Sequence, residues 1–88
     1  MSNVNQPLSF VRAGAQAQAM KKILPMLSEE EEGYFRLGRN IGHSSVPKNA
    51  TVSDYRTATG FEAVIGMLEW IGDNERLEFL LTEAHKED

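Results

Sequence analysis

The sequence predicts an all-α protein of about four helices, and three observations support this fold class. Apolar and small residues recur in steps of three and four along four separate stretches, which is the spacing of one helix face. No stretch shows the strict alternation of a half-buried strand. With 88 residues, of which 41% are hydrophobic and 25% charged, the chain has the length and composition of one small soluble domain.

The composition excludes several kinds of protein. There is no cysteine, so disulfides and thiolate metal sites are impossible. Residues 1–10 lack the basic region and the apolar run of a secretory signal. No apolar segment approaches the length that spans a bilayer. These observations predict a cytoplasmic location.

The net charge of −4 is unevenly distributed along the chain. Residues 33–57 carry four basic residues against the single acid Asp54, whereas residues 58–88 carry eight acids against two basic residues. A basic middle beside an acidic C-terminal segment suits a protein that contacts phosphates with one surface and holds cations with another. Ordinary charge scatter is the alternative explanation.

The first helix is predicted over residues 8–24, after a flexible lead-in of residues 1–7. Its predicted apolar face is formed by residues spaced four apart, which are Val11, Ala15, Ala19 and Ile23. Pro25 then interrupts the helix, because proline lacks the N–H that the next turn needs.

The second helix is predicted to run from Ser28 to about Asn40. Ser28 and Glu31 have the spacing of a capping box, in which each side chain accepts a hydrogen bond from the other residue's backbone N–H. The four consecutive acids at 29–32 also suit the positive end of the helix dipole, and a metal-binding acidic cluster is the functional alternative. The residues expected to face inward are Tyr34, Leu37 and Ile41.

The longest helix is predicted from Val52 or Asp54 to about Gly72, and it is expected to lie at the centre of the fold. Apolar or small residues recur along it at helical spacing: Ala58, Phe61, Val64, Ile65, Met67, Leu68 and Ile71. Glu62 interrupts this stretch. It is expected either to lie on the solvent edge of the helix or to face a positively charged group.

The last helix is predicted over residues 74–86, with Asp73 as its cap. Its apolar face comprises Leu77, Leu80, Leu81 and Ala84.

The loop between the second and third helices, residues 41–53, is rich in turn formers. It contains Lys48 and Asn49, and Arg36 and Arg39 precede it in the chain. Cations, amides and hydroxyls all bind phosphate oxygens, so this segment is a candidate phosphate contact. A polar connector without function is the alternative. His43 has no partner histidine at metal-binding spacing, so no zinc site is predicted.

Several motifs, taken together in their order and spacing, resemble the ribonuclease III family. ATGFEAVIG at residues 58–66 resembles the second carboxylate motif of that family. The motifs that precede it are SEEEE at 28–32, LGRN at 37–40, VPKN at 46–49 and the pair Tyr55-Arg56. Together they are similar to the short single-domain class, mini-ribonuclease III, and the resemblance extends from about Phe10 to about Ala84.

The resemblance implies an endonuclease that cleaves double-stranded or structured RNA as a homodimer, with ribosomal RNA precursors as typical substrates. Phosphodiester hydrolysis needs an activated water and relief of the phosphate charge, and Mg²⁺ ions held by carboxylates provide both. By the resemblance, Glu62 is the catalytic metal ligand, and Thr59 occupies a position where larger members have a second acid. The candidate RNA contacts are Arg36, Arg39, Lys48, Asn49 and Arg56.

The sequence departs from the family pattern in its first half, because the signature helix with its metal-binding Asp has no counterpart. The string NERLEFL at 74–80 opens that signature, but it follows the FEAVIG motif and continues with Leu81 and Thr82 in place of Gly-Asp. Glu78 is therefore given no metal role, and Asp73 is interpreted as a cap. The chain resembles the C-terminal portion of a mini-ribonuclease III, as a single partial domain.

One carboxylate is too few to hold a catalytic magnesium ion. The sequence therefore predicts that this chain by itself does not cleave RNA. The alternative function is a non-catalytic helical dimerisation or interaction module derived from the same fold.

Overall fold

The computed structural model describes residues 8–41 and 51–87, and its regular structure there is entirely helical. The α-helices are α1 (Leu8–Ile23), α2 (Glu29–Ile41), α3 (Val52–Ile71) and α4 (Asn74–Ala84). A short 3₁₀ helix, Leu24–Met26, follows α1 and contains Pro25. No strand occurs in the described residues, so the all-α prediction is confirmed, and each helix ends close to its predicted limits.

Helix α3 is the centre of the fold, as predicted. It packs against α1, α2 and α4, and α1 also contacts α4. All four helices contribute to the buried core, whose members are Ala19, Met20, Ile23, Phe35, Phe61, Val64, Leu68, Leu80 and Ala84. Leu77 and Leu81 of α4 are partly buried against this core, as their predicted positions on its apolar face require.

Two glycines allow α2 and α3 to approach closely. A Cβ atom on Gly38 would lie 2.6 Å from Ala63 Cβ and 2.8 Å from the Thr59 carbonyl oxygen. A Cβ atom on Gly60 would lie 2.5 Å from Cδ1 of Phe35. Non-bonded heavy atoms do not pack at such distances, so larger residues at these positions would force the two helices apart.

The buried face of α2 differs from the predicted one. Leu37 and Ile41, which were expected to face inward, are 63% and 65% exposed, whereas Phe35 and Gly38 are buried. Tyr34 is half-buried and packs against the core. The glycine contact explains the difference, because the face of α2 that can approach α3 is the one that carries Gly38.

The buried face of α1 also differs in part from the prediction. Ala19 and Ile23 are buried as expected, but Ala15 is exposed, and Ala17 and Met20 are buried instead. Alanine is small enough to be accommodated on either face. The contacts of α1 with both α3 and α4 therefore decide which of its alanines are covered.

The ends of α3 and α4 are defined by local hydrogen bonds and by one glycine in the left-handed conformation. The Thr51 hydroxyl accepts a hydrogen bond from the N–H of Asp54 at 3.0 Å. Gly72 ends α3 with φ of 79°, the left-handed conformation that glycine adopts without a Cβ clash. Asp73 then caps α4 by accepting from the N–H of Arg76 at 3.3 Å. Thr51 is thus the N-cap of α3, and the predicted cap Asp73 is confirmed.

Glu31 connects the start of α2 to the start of α4. The Ser28 N–H donates to Glu31 Oε1 at 2.8 Å and the Glu31 N–H donates to Ser28 Oγ at 3.2 Å, so the predicted capping box is confirmed. The same carboxylate accepts two hydrogen bonds from Arg76, both at 2.8 Å. Arg76 also donates to the carbonyl oxygen of Met26 at 2.7 Å. One guanidinium thus fixes the 3₁₀ turn, α2 and α4 relative to each other.

Candidate functional site

Glu62 lies on the exposed surface of α3 and lines a surface cavity of about 370 Å³, which we call the Glu62 groove. Residues of α1, α3 and the C-terminal part of the chain form it: Gln16, Phe61, Glu62, Ile65, Gly66, Glu69, Leu81 and His85. His85 Nδ1 lies 2.9 Å from the Leu81 carbonyl oxygen, and the His85 ring meets the Phe61 ring edge-on. Of the two positions expected for Glu62, the solvent edge is the observed one.

Glu69 is a second carboxylate in the Glu62 groove, and no role was predicted for it from the sequence. It follows Glu62 by seven positions, which is two helical turns, so the two residues share a face of α3. The separation along the helix axis is roughly 10 Å. Ligands of one Mg²⁺ ion each lie about 2 Å from the metal, so the two side chains would have to turn toward each other along the helix to share one ion.

The described residues do not form a complete metal site. Across residues 8–41 and 51–87, no group of three or more His, Asp or Glu side chains is arranged to hold a metal ion. Thr59, beside Glu62 on α3, donates its hydroxyl hydrogen to the Tyr55 carbonyl at 2.9 Å. Glu62 therefore offers one carboxylate ligand, which is less than the near-octahedral set of oxygens that Mg²⁺ requires.

The acids at the start of α2 do not provide an alternative metal site, because Glu31 is engaged in the ion pair with Arg76. The hydrogen bond from Arg76 holds the pKa of Glu31 below its ordinary value, although burial acts in the opposite direction. The same contact raises the pKa of Arg76. Both charges are therefore retained near neutral pH, and the role of this pair is structural.

Arg39 and Arg56, two of the predicted RNA contacts, lie together where α2 ends and α3 begins. They line a surface cavity of about 470 Å³, which we call the basic cavity, together with Val52, Ser53 and Thr57. Arg56 Nε donates to the carbonyl oxygen of Arg39 at 3.1 Å, and its Nη2 donates to Asn40 Oδ1 at 3.4 Å. The Arg39 guanidinium lies over the Phe35 ring, 5.7 Å from its centroid.

Ser53 and Thr57 also line the basic cavity, and neither was predicted from the sequence to be a contact. With Arg56 they occupy positions i, i+3 and i+4 of α3, so a helical projection of the sequence would have placed all three on one face. The position of Arg39 next to them depends on the packing of α2 against α3, which no local pattern specifies.

The remaining predicted RNA contacts, Arg36, Lys48 and Asn49, are not among the residues that line the basic cavity. Arg36 is exposed on α2, one turn before Arg39, and it is not part of the basic cavity. Lys48 and Asn49, and with them His43, lie outside the residues that the structure describes. The assignments of Lys48 and Asn49 as RNA contacts therefore stay predictions, and His43 was given no metal role.

The Glu62 groove and the basic cavity occupy different faces of α3. Arg56 precedes Glu62 by six positions, which corresponds to about 9 Å along the helix and roughly 120° around it. The two sites have opposite chemistry, since carboxylates line one and guanidinium groups line the other.

The four-helix arrangement and the FEAVIG helix agree with a family comparison. Residues 5–70 match the family model described as the Ribonuclease III domain. The chain belongs to the ribonuclease III family.

Curated relatives of this chain belong to one class within that family, the mini-ribonucleases 3. The chain is 45% identical over 85 residues to the mini-ribonuclease 3 of Thermoanaerobacter sp. (strain X514), with 88% of this chain and 60% of the relative covered. It is 45% identical over 74 residues to that of Clostridium tetani, covering 84% of this chain and 49% of the relative. It is 46% identical over 74 residues to the mini-ribonuclease 3 of Enterococcus faecalis, with 82% of this chain and 56% of the relative covered. The resemblance to mini-ribonuclease III is therefore confirmed.

The chain spans about half to three-fifths of the length of these relatives. None of the helices in its described part combines the length and hydropathy needed to cross a membrane.

Proposed function

We propose that this chain is part of a magnesium-dependent endoribonuclease of the mini-ribonuclease III type, which cleaves double-stranded or structured RNA. Its proposed substrates are ribosomal RNA precursors, and it is proposed to act as a homodimer in the cytoplasm. The observation that carries the proposal is the position of Glu62. In a chain of this family, the carboxylate of the FEAVIG motif is exposed in an open groove, where a cation and a phosphate could reach it.

In this proposal Glu62 is the catalytic residue of the chain and supplies one metal ligand. The described residues do not complete a magnesium site around it, so the remaining ligands come from residues other than those described, in the same polypeptide or in another one. The phosphate contacts are proposed to be Arg36, Arg39, Lys48, Asn49 and Arg56. The exposed position of Arg36 and the grouping of Arg39 with Arg56 support this set.

The role of Glu62 can be tested in a chimera. The part of the Thermoanaerobacter mini-ribonuclease 3 that matches this chain is replaced by this chain, and cleavage of a duplex RNA is measured with Mg²⁺. We expect the chimera to cleave, and Glu62→Ala to reduce the rate by about 100-fold or more, because a carboxylate ligand of the metal is lost. Glu78→Ala is the matched control, since Glu78 is an exposed helical glutamate without a proposed metal role. A folded Glu62→Ala chimera that cleaves at the parent rate would exclude Glu62 as a ligand.

The isolated chain is expected to leave duplex RNA intact in the presence of Mg²⁺, because it offers one carboxylate at the site. Incubation of the chain with structured double-stranded RNA, followed by denaturing gel electrophoresis, measures this directly. Robust cleavage that disappears in the Glu62→Ala variant would contradict the prediction.

A non-catalytic helical interaction module is the second candidate function. The observation that favours it is the exposure of large apolar side chains, with Trp70 at 84% and Ile71 at 55%. Self-association without any affinity for duplex RNA would support the module. Binding to duplex RNA that weakens steeply with salt would support the nuclease, because phosphate contacts release counterions.

A further inference from the structure

We propose that the Glu62 groove binds a linear aliphatic polyamine, with one ammonium group at Glu62 and another at Glu69. This inference goes beyond the proposed function, because it assigns a second ligand to the groove and a role to Glu69. Its regulatory consequence rests on the proposed function: a polyamine bound at Glu62 competes with the catalytic metal ion for the same carboxylate.

The two carboxylates of the groove are spaced for an extended cation. Glu62 and Glu69 are both exposed, and they lie on one face of α3, roughly 10 Å apart along the helix axis. A compact cation meets both only if the two side chains turn toward each other. A linear polyamine carries ammonium groups separated by flexible methylene chains. It can therefore make a charge-assisted hydrogen bond to each carboxylate at the spacing that the helix sets.

Gly66 leaves the space between the two carboxylates open. It lines the groove, four positions after Glu62 and three before Glu69, so the three residues share one face of α3. A Cβ atom on Gly66 would meet no other atom within 4 Å. An extended ligand thus has an unobstructed path along the helix from one carboxylate to the other.

The apolar part of the groove suits the methylene chain of such a ligand. Phe61 is buried, and Ile65 and Leu81 are half-buried where they line the groove. Aliphatic chains that carry an ammonium group lie along apolar surface while the charged end stays in a polar environment. Gln16 and His85 supply further polar groups, and the His85 ring is held by its contact with the Leu81 carbonyl oxygen.

The groove has no internal counter-ion for its two acids. Neither a lysine nor an arginine is among the described residues that line it. Lys86, the basic residue that follows His85, pairs instead with Glu83 at 2.9 Å. A cationic ligand therefore meets two carboxylates and no competing cationic side chain of the groove lining.

The site can be tested with the chain itself, labelled with ¹⁵N and titrated with the triamine spermidine at constant ionic strength. We expect saturable shifts of the backbone amides of Glu62, Gly66 and Glu69. Butylamine, which carries one ammonium group, should bind at least about tenfold more weakly, because the second linked contact is lost. Equal shifts with butylamine, or with sodium chloride at matched ionic strength, would overturn the proposal.

Three variants locate the ligand within the groove. Glu69→Gln should weaken spermidine binding by about tenfold, because one charge-assisted contact is lost. Gly66→Leu should weaken it at least as much, because its side chain fills the space between the carboxylates, and circular dichroism checks that this variant is folded. Glu78→Gln removes an exposed acid of α4 outside the groove and should leave the affinity unchanged. Equal losses in Glu69→Gln and Glu78→Gln would assign the binding to net charge and overturn the site.

The competition with the metal ion can be tested in the chimera described above. Spermidine should raise the Mg²⁺ concentration needed for half-maximal cleavage, and it should do so less in a chimera that carries Glu69→Gln. Spermidine that binds to the RNA acts on both chimeras alike, so the difference between them reports the groove. An equal effect on both would overturn the competition.

The two proposals can fail separately. If the chimera does not cleave but spermidine shifts the groove amides, the nuclease proposal fails and the polyamine site stands. If the chimera cleaves and the groove amides do not respond to spermidine, the polyamine site fails and the nuclease proposal stands.

Discussion

Glu31 is the one charged residue that is buried among those whose burial the structure describes, with 5% of its surface exposed. Its burial is compensated by the two hydrogen bonds from Arg76 and by the N–H of Ser28. A buried carboxylate without these partners would be strongly unfavourable. Arg76 stacks in turn on Phe79, 5.3 Å from the ring centroid. At the scale of single residues, this pair is therefore a specific link between helices that are distant in sequence.

Glu31→Gln is expected to lower the free energy of unfolding at neutral pH by about 1–3 kcal/mol, because Arg76 loses its charged acceptor. Urea unfolding measures the change. Glu30→Gln is the matched control, since Glu30 is an exposed acid in the same first turn of α2. Equal destabilisation by both variants would assign the effect to the helix dipole and not to the ion pair.

The same pair predicts an acid limb in the stability of the protein. Arg76 holds the pKa of Glu31 below its ordinary value of 4.5, so the folded state binds this proton less readily than the unfolded chain. The contribution of the pair is therefore complete above about pH 4.5 and is lost as the pH falls through the lowered pKa of the folded state. Unfolding midpoints measured across this range should fall with decreasing pH, and Glu31→Gln should reduce that fall. An unchanged slope in the variant would contradict the linkage.

At the scale of secondary-structure elements, the contact of α2 with α3 depends on the absence of side chains. Gly38 and Gly60 each bring backbone or ring atoms into the space that a Cβ would fill. Intrinsic helix propensity alone would favour alanine at both positions by about 1 kcal/mol. Close packing of the two helices outweighs that preference, and it also places Arg39 beside Arg56 at the basic cavity.

Gly38→Ala is expected to lower the free energy of unfolding by about 1–3 kcal/mol, because its Cβ would lie 2.6 Å from Ala63 Cβ. Gly33→Ala in the same helix is the matched control. Its Cβ would meet no atom within 4 Å, so it should stabilise the protein by about 0.5–1 kcal/mol. Thermal and urea unfolding of the two variants compare them directly. An increase in the free energy of unfolding for Gly38→Ala would contradict this prediction, because it would show that α2 and α3 can move apart without loss of stability.

At the scale of the whole molecule, several large apolar side chains of the described residues are exposed to solvent. Those at least partly exposed to solvent are Leu24, Leu37, Ile41, Val52, Trp70, Ile71 and Phe79. A chain of 88 residues buries a modest core, and the adjacent residues Trp70 and Ile71 at the end of α3 are both largely exposed. The proposed homodimer would cover some of them.

Trp70→Glu is expected to weaken self-association by at least about 30-fold, since aromatic residues dominate the energy of many interfaces. Sedimentation or light scattering over a range of protein concentrations measures the mass. Thr82→Glu introduces the same charge at an exposed position of α4 and should leave the mass unchanged. A wild-type chain that remains monomeric at high concentration would contradict self-association.

The sequence by itself determined the local structure of this protein. The four helices, the caps at Ser28, Thr51 and Asp73, and the helix-ending Gly72 follow from hydrogen bonds and backbone conformations within a few residues. The FEAVIG motif was equally readable, because a motif is a local string, and it gave the family and the candidate Glu62.

Only the tertiary structure decided which helix faces are buried and which distant side chains meet. Leu37 was expected inside and lies outside, because Gly38 sets the face of α2 that touches α3. Arg76 was unassigned by the sequence and pairs with Glu31, a residue 45 positions away. The reason is physical: periodicity shows that a helix has an apolar stripe, but the closest approach permitted by both partners selects the stripe that is used.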